Sequence, residues 1–168
     1  MAITVLASPN NLNWTHFQIV EDLGGEDAYN HYYARLPQIV NFRQIGSEYA
    51  LPATTVITIS PSNCQIRKGA NKTSALLKHE QLHYDIGINC SRILATDLKA
   101  LRASSAAELQ TAINDAFALH EANGEAISAA NDAATDHSRN TAAQKAWEKM
   151  MSKCKGDLLA TSINGLDL

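Results

Sequence analysis

The chain has 168 residues and a mass of 18.2 kDa, the size of one domain with a core of its own. Apolar residues make up 45%, aromatics 6% and charged residues 18%, a globular composition that argues against a disordered tail, a collagen-like repeat and a membrane protein. Fourteen basic against seventeen acidic residues leave a formal charge of -3, a balance that calls for no basic face and argues against a nucleic-acid partner.

The N-terminal stretch Met1–Ser8 has no basic segment and too short an apolar run for an export signal, so the chain is either retained in the cell or a mature domain with an added Met. Ile3–Ala7 is a short β-branched run, and Asn10–Asn13 and Gly24–Gly25 read as turns. Thr54–Ser60 is dense in β-branched residues and closed by Pro61, so it reads as a strand. These features predict a small antiparallel sheet over residues 1–60 and a polar loop over Pro61–Asn71. The longest apolar stretches, such as Ala50–Ala53 and Val56–Ile59, are far too short to span a bilayer.

From Ser74 to Arg102 the apolar residues Leu76, Leu77, Leu82, Ile86, Cys90, Ile93, Leu94, Leu98 and Leu101 step by three and four, which predicts one helical stripe. Ser105 followed by Glu108 is a capping box and starts a second helix, with Leu109, Ile113, Ala116, Phe117, His120 and Ile127 on its stripe. That stripe fades over Ala130–Thr135. A third helix is predicted over Thr141–Lys153, with Trp147, Met150 and Met151 inward. Trp14, Phe17 and Trp147 read as core. The three cysteines, Cys64, Cys90 and Cys154, match no zinc-knuckle spacing and allow at most one disulfide, whose pairing stays open.

Inside the first helix stands His79-Glu80-Gln81-Leu82-His83, an HExxH pattern. At about 100° per residue the two histidines share one face, one turn apart, so both imidazoles can reach a single Zn²⁺ at about 2.0–2.1 Å. Glu80 sits one residue round the helix, placed to take a proton from metal-activated water without being a ligand. A catalytic zinc needs a third protein ligand. Asp97 lies fourteen residues beyond His83, about 21 Å along the helix axis, and cannot reach. Glu108 is engaged in the cap. If the first two helices form a hairpin about residue 103, the metal level on the second falls near residues 124–128. Glu121 and Glu125 are at a usable height but point off the apolar stripe. His120 points inward about a turn away, and His137 lies just past the helix end, near His79. On the residues alone His120 and His137 compete, with Glu125 and Glu121 behind them.

Further groups surround this motif. Asp85 and Asp136 stand near the histidines in sequence and are candidates to accept their second ring N–H. Tyr84, His120 and Arg92 are candidates to stabilise an oxyanion, with Arg92 equally suited to a structural ion pair. Thr54–Ser60 is a candidate edge strand to hold an extended substrate, or an ordinary sheet strand.

Leu76–Ile86 (LLKHEQLHYDI) resembles the "LLKHEQGHFDI" stretch of a bacterial family of uncharacterised domains described as predicted secreted zinc-dependent proteases. Asn13–Phe17 is similar to its "LTWDDF", Arg92 to the Arg of "YARKL", Asp132–His137 to "YDxxTxHG", and Gln144–Trp147 to "QxxW". Leu82, Asn131 and Ser138 depart from the Gly, Tyr and Gly of those stretches. The resemblance implies an α+β, zincin-like domain over residues 1–168, an N-terminal sheet followed by a helical half. It implies zinc as cofactor, His137 as the third ligand beside His79 and His83, and hydrolysis of a peptide or protein substrate with Glu80 as base. It raises Asp85, which recurs in the pattern. It also implies export to the periplasm or beyond. The alternative is a non-catalytic zinc-binding domain of the same fold.

Overall fold

A computed structural model describes residues 3–36, 41–157 and 159–168, so Met1 and Ala2 of the N-terminal stretch lie outside it. Its elements are β1 (Thr4–Ala7), β2 (Gln18–Val20), β3 (Ala28–Arg35), β4 (Arg43–Ile45), β5 (Glu48–Ala50), β6 (Val56–Arg67), α1 (Ser74–Ala100), α2 (Ala106–Thr135), α3 (Thr141–Gly156), β7 (Ser162–Ile163) and β8 (Leu166–Asp167). The three helices fall where the 3.6-residue period put them, with Thr73, Ser105 and Asn140 as N-caps accepting from Leu76, Glu108 and Ala143. Among the described residues no helix is long and apolar enough to cross a membrane.

The main sheet corrects the expected antiparallel arrangement. It is mixed: β1 and β2 run parallel to β6, and only β3 is antiparallel to it. β1 pairs Val56–Ile59 and β2 pairs Gln65–Arg67, so the two form one interrupted strand along a single side of β6. The chain keeps its direction across the interruption, and parallel pairing follows for both halves. Pro61 does not end the strand. Between Ser60 and Cys64, β6 has a strand neighbour on the β3 side alone, a place where a missing N–H is tolerated. The expected loop therefore begins only after Arg67. Thr54–Ser60 is also no edge: Thr58 and Ile59 pair with both β1 and β3. β3, like β1 and β2, pairs only with β6 among the described strands, so its other side carries no described strand partner.

β6 alternates inward, burying Ile57, Ile59, Cys64 and Ile66 against α1. α1 is covered by the sheet on one flank and by α2 and α3 on the others, which buries His79, Glu80, Leu82, His83, Tyr84, Asp85 and Ile86 in succession. Phe17 and Trp147 are buried as expected, and Trp14 is half-buried against Phe17. Two small hairpins complete the fold: β4–β5, bridged to the α1–α2 connection through Tyr49 and Ala103, and β7–β8. All three cysteines are free thiols in the interior.

Tyr32, pointing inward from β3, fills the space between α1 and α2. A Cβ at Gly87 would lie 2.2 Å from its Cγ, and one at Gly124 would lie 1.7 Å from its hydroxyl oxygen. Neither distance is attainable, so both helices need glycine at the Tyr32 contact. The Tyr32 hydroxyl is buried with no hydrogen-bond partner among the described residues. Gly87→Ala should therefore destabilise the protein by about 1–3 kcal/mol in urea unfolding, through overpacking. Gly124→Ala should be similarly harmful, and Tyr32→Phe should relieve it in part, since the hydroxyl is the nearest obstructing atom and Cζ would still lie 2.9 Å away. A Gly87→Ala protein as stable as wild type would show that the ring is not confined as described.

Candidate metal centre

The HExxH spacing does bring the two imidazoles together. His79 and His83 stand edge to face, with ring centroids 4.7 Å apart and their Nε2 atoms 3.1 Å apart. From α2, Asp132 places Oδ1 at 3.0 Å from His79 Nε2 and 2.9 Å from His83 Nε2. Three ligand-type atoms thus form a triangle with sides near 3 Å. Atoms that share one four-coordinate zinc at about 2.0–2.1 Å stand about 3.3 Å apart, so the donor set fits such an ion.

The surrounding hydrogen bonds sharpen this fit. Gln144, in the first turn of α3, donates its amide to Glu148 Oε1 at 3.2 Å and turns its oxygen to His79 Nδ1 at 3.0 Å. A carboxylate can only accept, which assigns the amide orientation and puts the proton on His79 Nδ1. His79 Nε2 then faces His83 Nε2 and Asp132 Oδ1. An additional proton or a cation must lie among the three atoms. Burial disfavours the charged form of His83, but the hydrogen bond and charge of Asp132 outweigh it and hold His83 above its ordinary range. Burial likewise opposes the Asp132 carboxylate, and hydrogen bonds from His79 and His83 hold it well below the usual carboxylate range.

Glu80 projects into the same cleft, which has a volume of about 260 Å³ and lies between β3 and α2. Burial pushes its carboxyl up, and His83, Asn30 and His79 only partly reverse this. A carboxyl raised in this way is a better proton acceptor at neutral pH than an ordinary glutamate. Asn30 donates to Glu80 Oε2 at 2.8 Å.

His137 reaches the rim of this centre. Its Nδ1 is 3.8 Å from Asp132 Oδ1 and 3.7 Å from Glu26 Oε1, and His79, Asp132 and His137 offer ligand atoms within 4.8 Å of one another. It rides on a turn in which Asp136, His137 and Ser138 all have positive φ, at 48°, 49° and 75°. Such a conformation costs roughly 1–2 kcal/mol for an ordinary residue and little for glycine.

The remaining candidates lie elsewhere. His120 is buried and tied to Asp97 Oδ2 at 2.7 Å and to the main-chain oxygen of Leu168 at 3.1 Å, so both ring nitrogens are occupied away from the centre. Asp85 is engaged by Gln81 and Lys155 at 2.9 and 3.0 Å, and Asp136 is an exposed cap residue near Arg139. Neither contacts a ring nitrogen of His79 or His83. Gln144 does what was expected of them. The Tyr84 hydroxyl donates to Ile59 O inside the core, and Arg92 donates to Asn89 and the Asp157 main chain, so neither faces the cleft. Glu121 and Glu125 group with His31, Glu125 on the cleft lining, rather than with His79 and His83. Asp132, Gln144 and Asn30 are the site residues that residue-by-residue reasoning missed. Asp132 and Gln144 did stand inside the stretches similar to "YDxxTxHG" and "QxxW"; Asn30 carried no signal.

A family model described as "Bacterial protein of unknown function (DUF922)" matches residues 44–138. That stretch includes His79, Glu80, His83, Asp132 and His137, and leaves out Asn30 and Gln144. No curated protein and no solved structure matches the chain.

Replacing His120 should expose its structural role. His120→Ala removes the partner of a carboxylate and of a main-chain oxygen and should lower unfolding stability by about 2–4 kcal/mol. Zinc uptake, measured by metal analysis, should be unchanged. Loss of zinc from a folded His120→Ala protein would place that ring in the centre after all.

Proposed function

The chain belongs to the DUF922 family of bacterial proteins, whose function is unknown, and we propose from the site itself that it is a zinc-dependent peptidase of zincin-like architecture. One observation carries the reading: three ligand-type atoms, from His79, His83 and Asp132, converge beside a buried glutamate in a cleft. We take Asp132 as the third ligand because its Oδ1 stands about 3 Å from both rings, with His137, which groups with His79 and Asp132 at longer range, as the competing ligand. Zinc bound there supplies Lewis acidity, which polarises a carbonyl and makes water acidic near pH 7. Gln144 holds the His79 ring and its tautomer, a partner of the kind that keeps a ligating imidazole in place. Glu80 accepts the proton of the attacking water and returns it to the leaving amine. β3 borders the cleft along Ala28–Tyr32 with its free side available to an extended peptide, the role first expected of Thr54–Ser60.

Two measurements test this. Glu80→Gln should bind zinc as wild type does and lose about 10²–10⁴-fold in kcat on a peptide substrate. A wild-type protein that binds zinc and cleaves nothing, like its Glu80→Gln variant, would reduce the site to a binding centre. For the ligands, competition with a chromophoric chelator should show Asp132→Ala losing at least about 100-fold in zinc affinity, and His137→Ala much less. The reverse order would restore His137 as third ligand.

A further inference from the structure

Asn30 is 6% exposed, borders the cleft, and spends its amide group on one residue. Its Nδ2 donates at 2.8 Å to Glu80 Oε2 and at 2.8 Å to the Glu80 main-chain oxygen. Its Oδ1 is buried without a hydrogen-bond partner among the described residues. The opposite amide orientation would set Oδ1 against the carboxylate, so the network assigns the one described. Strand geometry delivers the residue. Tyr29 pairs with Gln65 but His31 pairs with Ser62, so Asn63 and Cys64 both stand opposite Asn30. Asn63 takes the left-handed conformation, with φ 51°, as the first residue of a G1-type bulge does. Bulges bend a strand and re-aim side chains, and this one lies opposite the residue that grips Glu80. An amide placed for packing alone would not leave a buried oxygen bare, since an apolar residue of the same size fills the space without that penalty.

We infer that Asn30 is a positioning residue for Glu80: it clamps Oε2 and the adjoining main chain, and so fixes the direction in which the other carboxylate oxygen faces the cleft. The clamp stands on hydrogen-bond geometry alone, and its catalytic consequence rests on the peptidase reading.

The test has two arms on the full chain. In the first, the side-chain amide of Asn30 is followed by ¹⁵N NMR, assigned by its loss in Asn30→Asp. Its hydrogen exchange should become about 10- to 100-fold faster in Glu80→Ala, as a charge-assisted hydrogen bond is lost. Exchange indifferent to Glu80 overturns the clamp. In the second, zinc-loaded Asn30→Leu and Asn30→Asp should keep their metal content and lose about 10- to 100-fold in kcat, with KM within about twofold of wild type. Asn30→Asp preserves the shape and covers the case in which Asn30→Leu does not fold. Unchanged kcat in folded, zinc-loaded variants overturns the positioning role. If wild type cleaves no peptide, the peptidase reading fails, and the exchange arm still decides the clamp.

Discussion

Everything in the site follows from three electron-rich atoms held about 3 Å apart in the interior of the protein. Two imidazole nitrogens and a carboxylate oxygen do not stay at that distance unaided. His79 is fixed through Gln144, Glu80 through Asn30, and Asp132 by the packing of α2 on α1. The three fixing contacts come from α3, β3 and α2, so the centre depends on the tertiary assembly of all four elements. No isolated helix with the HExxH pattern could reproduce it.

The cleft itself is the product of the sheet. Because β6 is paired on both sides, it can only be the floor support of the domain, and β3 becomes the border of the opening. The same inward row of β3, Ala28, Asn30 and Tyr32, then does three different things in sequence: it packs, it grips Glu80, and it separates two helices. Function and packing are therefore interleaved at every second residue of one strand.

The helices were legible because each carries its own period and cap: Thr73 and Ser105 begin α1 and α2, and apolar steps of three and four run through both. The HExxH pair was legible for the same reason, since one helical turn determines the approach of His79 and His83. Strand direction was not, because nothing local to Thr4–Ala7 or Gln18–Val20 records whether the partner runs with or against it. Pro61 misled because its tolerance depends on a gap between two other strands. Asn164-Gly165, both with positive φ at the β7–β8 turn, was a readable hairpin signal that went unused. The approach of Asp132 to both rings was not legible, because the relative height of two packed helices is not written in either. Asn30 was beyond reach, its partner being fifty residues away in sequence.

The aromatic ring lodged between Gly87 and Gly124 acts on more than packing. Gly87 lies one turn beyond His83 on α1, and Gly124 two turns before Asp132 on α2. The thickness of a phenol is thus a spacer gauge inserted between the two arms that carry the imidazoles and the carboxylate. The separation of the His79, His83 and Asp132 side chains is linked to a ring wedged between the two helices that carry them, so a change of side chain at position 32 would act on that separation while leaving all three residues in place.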